Sequence, residues 1–485
     1  MFCGIPRSQA LDTVGEVSRF AIVQTQTIIL GIFEGAIMRC CVFTALVLIT
    51  SCLFTVLLAA DPAEQPGAMD LFPPSQMVFN VTIDHFRYAQ PADSFPLRVF
   101  VYENFTYNAA NSHPVFFYCG NEGAVEDFYN NSGAIFELGR ELGAFIVFAE
   151  HRFYGRSLPY GNSSFTPEAL QLLSVEQALA DYSQIIYSLP SFIGCRGTGR
   201  NAAAGRCDVV LWGGSYGGML AAWHRYKYPH LSVGAVASGA PVDFYPNSGI
   251  QADFEAAFID TFAKYGNDSS CGCNVVAGLS AADSAPSSQQ LLDAGLLPCD
   301  TLGPNSAEQY SFYARGALSS IAMLDYPYPC QFVSHLPANP VQVACSLMSL
   351  MLDRNGTSLA ALHRAVLMYV NATGDLKCID LNAELVGKRV STPLRNHPMQ
   401  TSDLGVVSWN YQACTQLIIE PITSDGFGFY PERDSQISEV EANCARMFGV
   451  NTRPNDLLIS LGRGADWTHV SNVVFMENSK DVRRP

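Results

Sequence analysis

The residues best placed to do chemistry are Gly213-Gly214-Ser215-Tyr216-Gly217, a G-x-S-x-G pattern. A serine hydroxyl is a weak nucleophile at neutral pH. It needs a histidine to take its proton, a carboxylate to hold that histidine, and amide donors for the oxyanion that forms on the attacked carbonyl. The amide of Tyr216 is the natural first donor. The second usually comes from the loop after an earlier strand. Gly120-Asn121-Glu122-Gly123 stands there, so Gly120 and Asn121 are the candidates, with an ordinary β–α turn as the alternative. Carboxylate and histidine are expected to follow such a serine in the chain. Of the nine histidines, His224, His230, His335, His363, His397 and His469 lie beyond Ser215. None has the expected setting, a loop after the last strand, and structural or solvated roles are favoured for each.

A serine used this way must be lifted out on a sharp turn between a strand and a helix. Asp208 to Trp212 is a short apolar strand candidate, and Met219 to Tyr228 is free of Gly and Pro. Glycines around the serine remove Cβ atoms that would clash in the bend. The helix behind it points its N-terminal amides and partial positive charge at the site. Further strands are expected at Met77–Phe86, Pro96–Tyr102, Pro114–Cys119, Ala144–Phe148 and Val233–Ser238, with a helix at Ala134–Leu142. Ser174-Val175-Glu176-Gln177 reads as a capping box before an apolar stripe at helical spacing. Strands alternating with helices imply a parallel sheet covered on both faces. That pattern stops near Val242. Helical patterns at Phe254–Tyr265, Ser306–Met323 and Leu359–Tyr369 then alternate with Pro/Gly/Cys-rich loops, and Asn472–Phe475 looks like a return to the sheet. The expected organisation is an extension plus signal segment over 1–60, a linker over 61–76, the first part of the core over 77–241, a helical cap over 242–450, and a return to the core over 451–485.

The chain has 485 residues, 48% of them apolar and 15% charged, with a formal net charge of −16. That balance permits a sizeable core and disfavours nucleic acid or anionic membrane as partners. Cys40 to Ala60 is an uncharged, mostly apolar run led by Arg39; a cleaved secretory signal is favoured over an uncleaved membrane anchor. N-glycosylation sequons stand beyond it at Asn80, Asn104, Asn130, Asn162, Asn267, Asn355 and Asn371. The cysteines after Cys52 read as disulfides plus one odd thiol, with Cys195 and Cys207 placed to clip a Gly/Ala/Arg loop. Cys271-Gly-Cys273 has no histidine pattern nearby, so no metal site and no cofactor are expected. A secretory route follows. No oligomeric state does, and a homodimer is left open.

Several blocks together resemble the S28 serine peptidase family. They are Gly120–Gly123, Phe148-Ala149-Glu150-His151-Arg152-Phe153-Tyr154-Gly155, Gly213–Ala221, Met323–Pro329, Leu336–Pro340, Trp409–Thr415 and Phe448–Val450, within a match from about Met77 to Phe475. The resemblance implies an α/β-hydrolase core with a large, mainly helical cap. It also implies an exopeptidase that takes short peptides and cleaves after proline or a small residue near one end. Ser215 takes the nucleophile position. Trp409 is a candidate wall of the proline pocket or else a core tryptophan. Glu122 and Asp325 are candidates to bind a substrate α-amino group, against structural ion pairing. In the family, the strand matching Val473–Phe475 runs into S-N-G-x-x-D-P-W, whose aspartate belongs to the triad. Here Met476-Glu477-Asn478-Ser479-Lys480-Asp481 follows instead. Asp481 is in register by count only, no histidine comes after it, and the last strand and terminal helix are expected to be missing. An incomplete form of an active peptidase is favoured over a chain that ends here and is inactive.

Three functions therefore compete. They are a proline-preferring serine exopeptidase, a catalytically inactive hydrolase-like binding protein, and an esterase on the same core. The cap blocks disfavour the last.

Overall fold

The computed structural model describes residues 68–87, 93–105, 112–243, 250–266, 270–332, 334–354, 356–381, 404–418, 423–424, 429, 433–434, 437–461 and 467–476. The apolar run Cys40–Ala60 lies outside them, as do Asn267, Asn355, His397 and Asp481.

The strands follow the runs of β-branched and aromatic residues. They are β1 (Ser75–Thr82), β2 (Ser94–Tyr102), β3 (Val115–Tyr118), β4 (Phe145–Ala149), β5 (Val209–Gly214), β6 (Gly234–Ser238) and β7 (Val473–Met476). They form one sheet in the order β1-β2-β4-β3-β5-β6-β7. β1 and β2 are antiparallel, as are β2 and β4, and the remaining pairings are parallel. Every residue of β3 and β4 is buried, which is why these runs are apolar without alternation.

The two-residue period of a strand splits its side chains between two cores. Val115, Phe117, Val147 and Leu211 join one apolar cluster with Val175, Leu179, Tyr182 and Ile185 of helix α1 (Val175–Ile193) and with Leu220 and Trp223 of helix α2 (Ser215–Lys227). Phe116, Tyr118, Ile146, Phe148 and Trp212 join another with Tyr129, Ile135 and Phe136 on the opposite face. A third cluster lies within the helices Ile250–Tyr265, Cys271–Asp283, Ser306–Met323, Pro340–Asp353 and Ser358–Val370. The Cys271–Cys345 and Cys299–Cys378 disulfides fall among them, and Cys195–Cys207 clips its loop as the spacing anticipates. This is an α/β-hydrolase sheet with a helical cap.

Four expectations need correction. The end of the 61–76 linker is ordered: Ala68–Leu71 is helical, and Phe72 stacks on Phe136 with ring centroids 4.9 Å apart. Ser174 caps α1 through the Gln177 amide, but the Gln177 side chain bonds Asp84 and the His85 amide, so the capping box is not reciprocal. Two thiols, Cys119 and Cys330, are unpaired among the described residues, where one was expected. Finally, the cap does not run to 450. Val407, Tyr411, Cys414, Val440, Cys444 and Phe448 pack with Phe153, Tyr154, Phe165 and Leu173, whereas the cap core draws on Phe258 to Leu381 and Phe429.

Buried charges brace the core beside the sheet. Arg152 is fully buried and reaches Asp181 with two bonds of 2.6 and 2.7 Å, and also the carbonyls of Thr82, Ile83 and Leu172. His85 contacts the same carboxylate at 2.8 Å. Removing one member of such a pair strands the other in a low-dielectric interior. Arg152→Met is therefore expected to cost about 3–5 kcal/mol, read as a shift in the urea unfolding midpoint. A loss below about 1 kcal/mol would show that the pair contributes no net bracing.

Candidate active site

The sheet places the serine before any side chain is considered. After β3 the chain moves to β4 on one side, and β5 lies on the other. The loops leaving the C-terminal ends of β3 and β5 therefore diverge and open a crevice, the usual ligand position in an open α/β sheet. The β3 loop carries Gly120–Gly123. β5 ends at Gly214 and passes directly into α2 at Ser215, so the turn there lies within Gly213–Gly217.

Ser215 is the first residue of α2 and has φ +52°. This left-handed conformation is costly for a non-glycine residue and is retained where the surroundings enforce it. They do so through backbone contact. A Cβ on Gly213 would meet the Gly217 carbonyl, and one on Gly217 would meet the Cys119 carbonyl and the Asn121 side chain. On Gly218 it would lie 2.9 Å from the Ala240 Cβ. Strand, turn and helix thus pass at distances only glycine allows. Ser215 itself is half-buried, and Tyr216 is buried.

The two loops are tied together. The Asn121 amide Nδ2 donates to the Gly214 carbonyl at 2.7 Å and to Glu122 Oε2 at 3.3 Å. Asn121 is buried, and its Oδ1 has no hydrogen-bond partner. The Tyr182 hydroxyl donates to the Gly120 carbonyl at 3.1 Å. Because a trans peptide points its C=O and N–H in opposite directions, this bond turns the Asn121 N–H away from Tyr182. The Tyr216 amide belongs to the first turn of α2, whose N–H groups have no intrahelical acceptor.

The other sequence candidates separate. Trp409 is half-buried and meets the Tyr216 ring edge-on, with centroids 5.6 Å apart at 65°. Glu122 is half-buried beside Asn121. Asp325 instead is buried and accepts from the Val341 amide at 3.2 Å, in the first turn of the cap helix Pro340–Asp353. That is a helix-terminus acceptor within the cap. Asn80, Asn104, Asn130 and Asn162 are exposed, and Asn371 is half-buried.

Sequence pattern alone gives His151 and Gln412 no site role. His151 Nε2 lies 3.1 Å from the Tyr216 hydroxyl, and Nδ1 lies 2.7 Å from the Arg152 carbonyl. Gln412 bonds the hydroxyls of both Tyr154 and Tyr216. Both residues stand in blocks that carried the family resemblance, which was the available signal; their partners are distant in sequence. Past Ser215, His224 lies behind the elbow, 3.0 Å from the Ser183 hydroxyl, and His363 meets Tyr310 in the cap at 3.2 Å.

A serine on a strained strand–helix turn at the switch point of an α/β-hydrolase sheet has the arrangement of a nucleophile elbow. The family model described as Serine carboxypeptidase S28 matches residues 81–481, and the chain belongs to that family of serine peptidases. Among similar proteins, Lysosomal Pro-X carboxypeptidase from Homo sapiens is 30% identical over 428 residues, covering 87% of this chain and 80% of its own length. Prolyl carboxy peptidase like protein 5 from Caenorhabditis elegans is 32% identical, covering 80% of this chain and 74% of its own length. Thymus-specific serine protease from Mus musculus is 28% identical, with 75% and 65% covered.

Burial holds three histidines neutral. It pushes His151 and His363 from the ordinary 6.5 to about 4, and His224 to about 3. With the folded pKa below the unfolded one, the unfolded chain binds protons first as pH falls. Stability is full above 6.5 and is lost as pH drops toward the folded values. Each such histidine removes about 2 kcal/mol by pH 5. His224→Gln, which keeps a polar partner for Ser183, is expected to lose about 2 kcal/mol less than the wild type between pH 7 and pH 5 in urea titrations. Parallel losses in the two proteins would rule His224 out as a source of acid sensitivity.

Proposed function

We propose that this protein is a secretory-pathway serine exopeptidase that cleaves beside proline near the end of short peptides. The observation that carries this is the strained Ser215 at the sheet switch point, followed by Tyr216, whose ring Trp409 meets. In this reading Ser215 attacks the scissile carbonyl. The oxyanion accepts hydrogen bonds from the Tyr216 amide and from the Gly120–Asn121 turn, an orientation supported by the Tyr182 bond to the Gly120 carbonyl. One lost donor of this kind slows turnover roughly a hundred- to a thousandfold. Trp409 offers a flat apolar face that suits a proline ring, whereas Glu122 would meet a substrate amino group only if the enzyme trimmed amino ends. Carboxy-end trimming is the favoured mode, because relatives at 30–32% identity carry that activity in their names. Those names, the exposed sequons and the disulfides support a lysosomal or extracellular setting. Asp481 stays the candidate carboxylate by count along the chain.

One observation favours the inactive reading. His224 and His363, the buried histidines after Ser215 among the described residues, are engaged behind the elbow and inside the cap.

A fluorophosphonate probe decides between the two. The full chain is expected to carry the adduct on Ser215 and to release the residue after proline from an N-acetylated peptide but not from its C-terminal amide. Ser215→Ala should lose the adduct and reduce turnover by roughly 10⁶-fold. Cleavage blocked by N-acetylation would reassign the enzyme to amino-end trimming. A folded chain with neither adduct nor turnover would establish the inactive reading.

A further inference from the structure

We propose that Gln412 is a positioning residue for the nucleophile elbow, holding Tyr216 so that its backbone amide stays aimed at the oxyanion. The proposal rests on the peptidase reading above and adds a residue to it.

Gln412 ends helix α3 (Leu404–Gln412) and is fully buried. Both ends of its amide are used. Oε1 accepts from the Tyr154 hydroxyl at 2.5 Å, and Nε2 donates to the Tyr216 hydroxyl at 2.7 Å. The Tyr216 hydroxyl, having accepted that bond, has its own proton left for His151 Nε2 at 3.1 Å. His151 then donates from Nδ1 to the Arg152 carbonyl at 2.7 Å. Each donor meets an acceptor, so the chain of bonds has one consistent direction and leaves neither hydroxyl unsatisfied. In a dry interior such a network gives a unique arrangement, since any other leaves a buried polar group without a partner.

The same helix holds the ring a second way. Trp409 lies three residues before Gln412, so the two share a helix face. Trp409 packs on the Tyr216 ring while Gln412 holds its hydroxyl. The helix end is itself anchored. A π-helical turn, Ala413–Leu417, begins at once, Cys414 is bridged to Cys444, and the Thr415 carbonyl accepts from the Arg453 amide at 2.8 Å. Single π turns are frequent at functional sites. Tyr216 directly follows a residue in the left-handed region, so a side chain gripped at ring and hydroxyl limits how far that backbone can relax. Displacing a catalytic group by about 1 Å costs on the order of a hundredfold in rate.

The test uses the full chain with Gln412→Leu, Tyr216→Phe, the double variant and Gln412→Glu. Wild-type turnover of a proline peptide checks the underlying peptidase reading separately. Gln412→Leu is expected to lower kcat roughly 10- to 100-fold with KM within about twofold. Tyr216→Phe, which keeps the ring volume, should do the same, and the double variant should be no worse than either. Gln412→Glu cannot donate to the Tyr216 hydroxyl, which would have to turn its proton from His151 to the carboxylate, so this nearly isosteric change should lower kcat as Gln412→Leu does. Hydrogen exchange of the 213–220 amides should quicken in Gln412→Leu. Losses that multiply in the double variant, or a Gln412→Leu protein with wild-type kcat, would overturn the proposal. If the wild type shows no turnover, elbow exchange decides: unchanged rates in Gln412→Leu reject the positioning role, and faster rates uphold it.

Discussion

The left-handed backbone at Ser215 is possible only because strand, turn and helix meet without side chains between them. The constraint is mutual. Gly213 lies against Gly217 and Gly218, Gly217 lies under the β3 loop at Cys119 and Asn121, and Gly218 lies against Ala240 beyond β6. A conformation that costs on the order of 1–3 kcal/mol persists because relaxing it would break several of these contacts together. The site is therefore a property of the sheet, and the serine occupies a position that three neighbouring strands define.

The Glu150–Gly155 block shows how one short segment ties the core to itself. Its consecutive side chains reach separate partners. Glu150 accepts from Arg98, Val125, Arg156 and Ser157. His151 reaches Tyr216, Arg152 reaches Asp181, and Tyr154 reaches Gln412. A Cβ on Gly155, at φ +55°, would strike the Glu150 carboxylate. Buried charges of this kind contribute little net stability against well-packed apolar residues, but they reject alternative packings because an unpaired member is so unfavourable. The block lies next to the elbow, with His151 on the Tyr216 hydroxyl and Tyr154 on Gln412, where a unique arrangement matters.

The segments 404–418 and 437–448 change how the cap relates to the core. By composition they continue the helical insertion. In space they join Phe153, Tyr154 and Leu173, and they send Trp409 and Gln412 to the elbow and Gln416 to the start of the 175–193 helix. The cap helices between 250 and 370 have their own apolar core and disulfides. The cap core and the elbow's support are thus separate elements: one packs on itself, and the other reaches Tyr216.

Local pattern was enough for the strands β3 to β6, the helix behind Ser215, the elbow glycines and the Cys195–Cys207 clip. Each depends on period, turn chemistry or short spacing, and these act between residues close in the chain. The family blocks likewise marked Trp409 and the Gly120–Asn121 loop. What pattern could not settle was pairing at long range. Gln177 has the spacing of a capping box, yet Asp84 and His85 compete for its side chain. Asp325 has the charge to bind an amino group, yet a helix terminus takes it. Gln412 and His151 become partners of Tyr216 only when three distant segments converge. Hydrogen bonds and ion pairs are short-ranged and directional, so the residue types limit which bonds can form, and the folded chain alone decides which do.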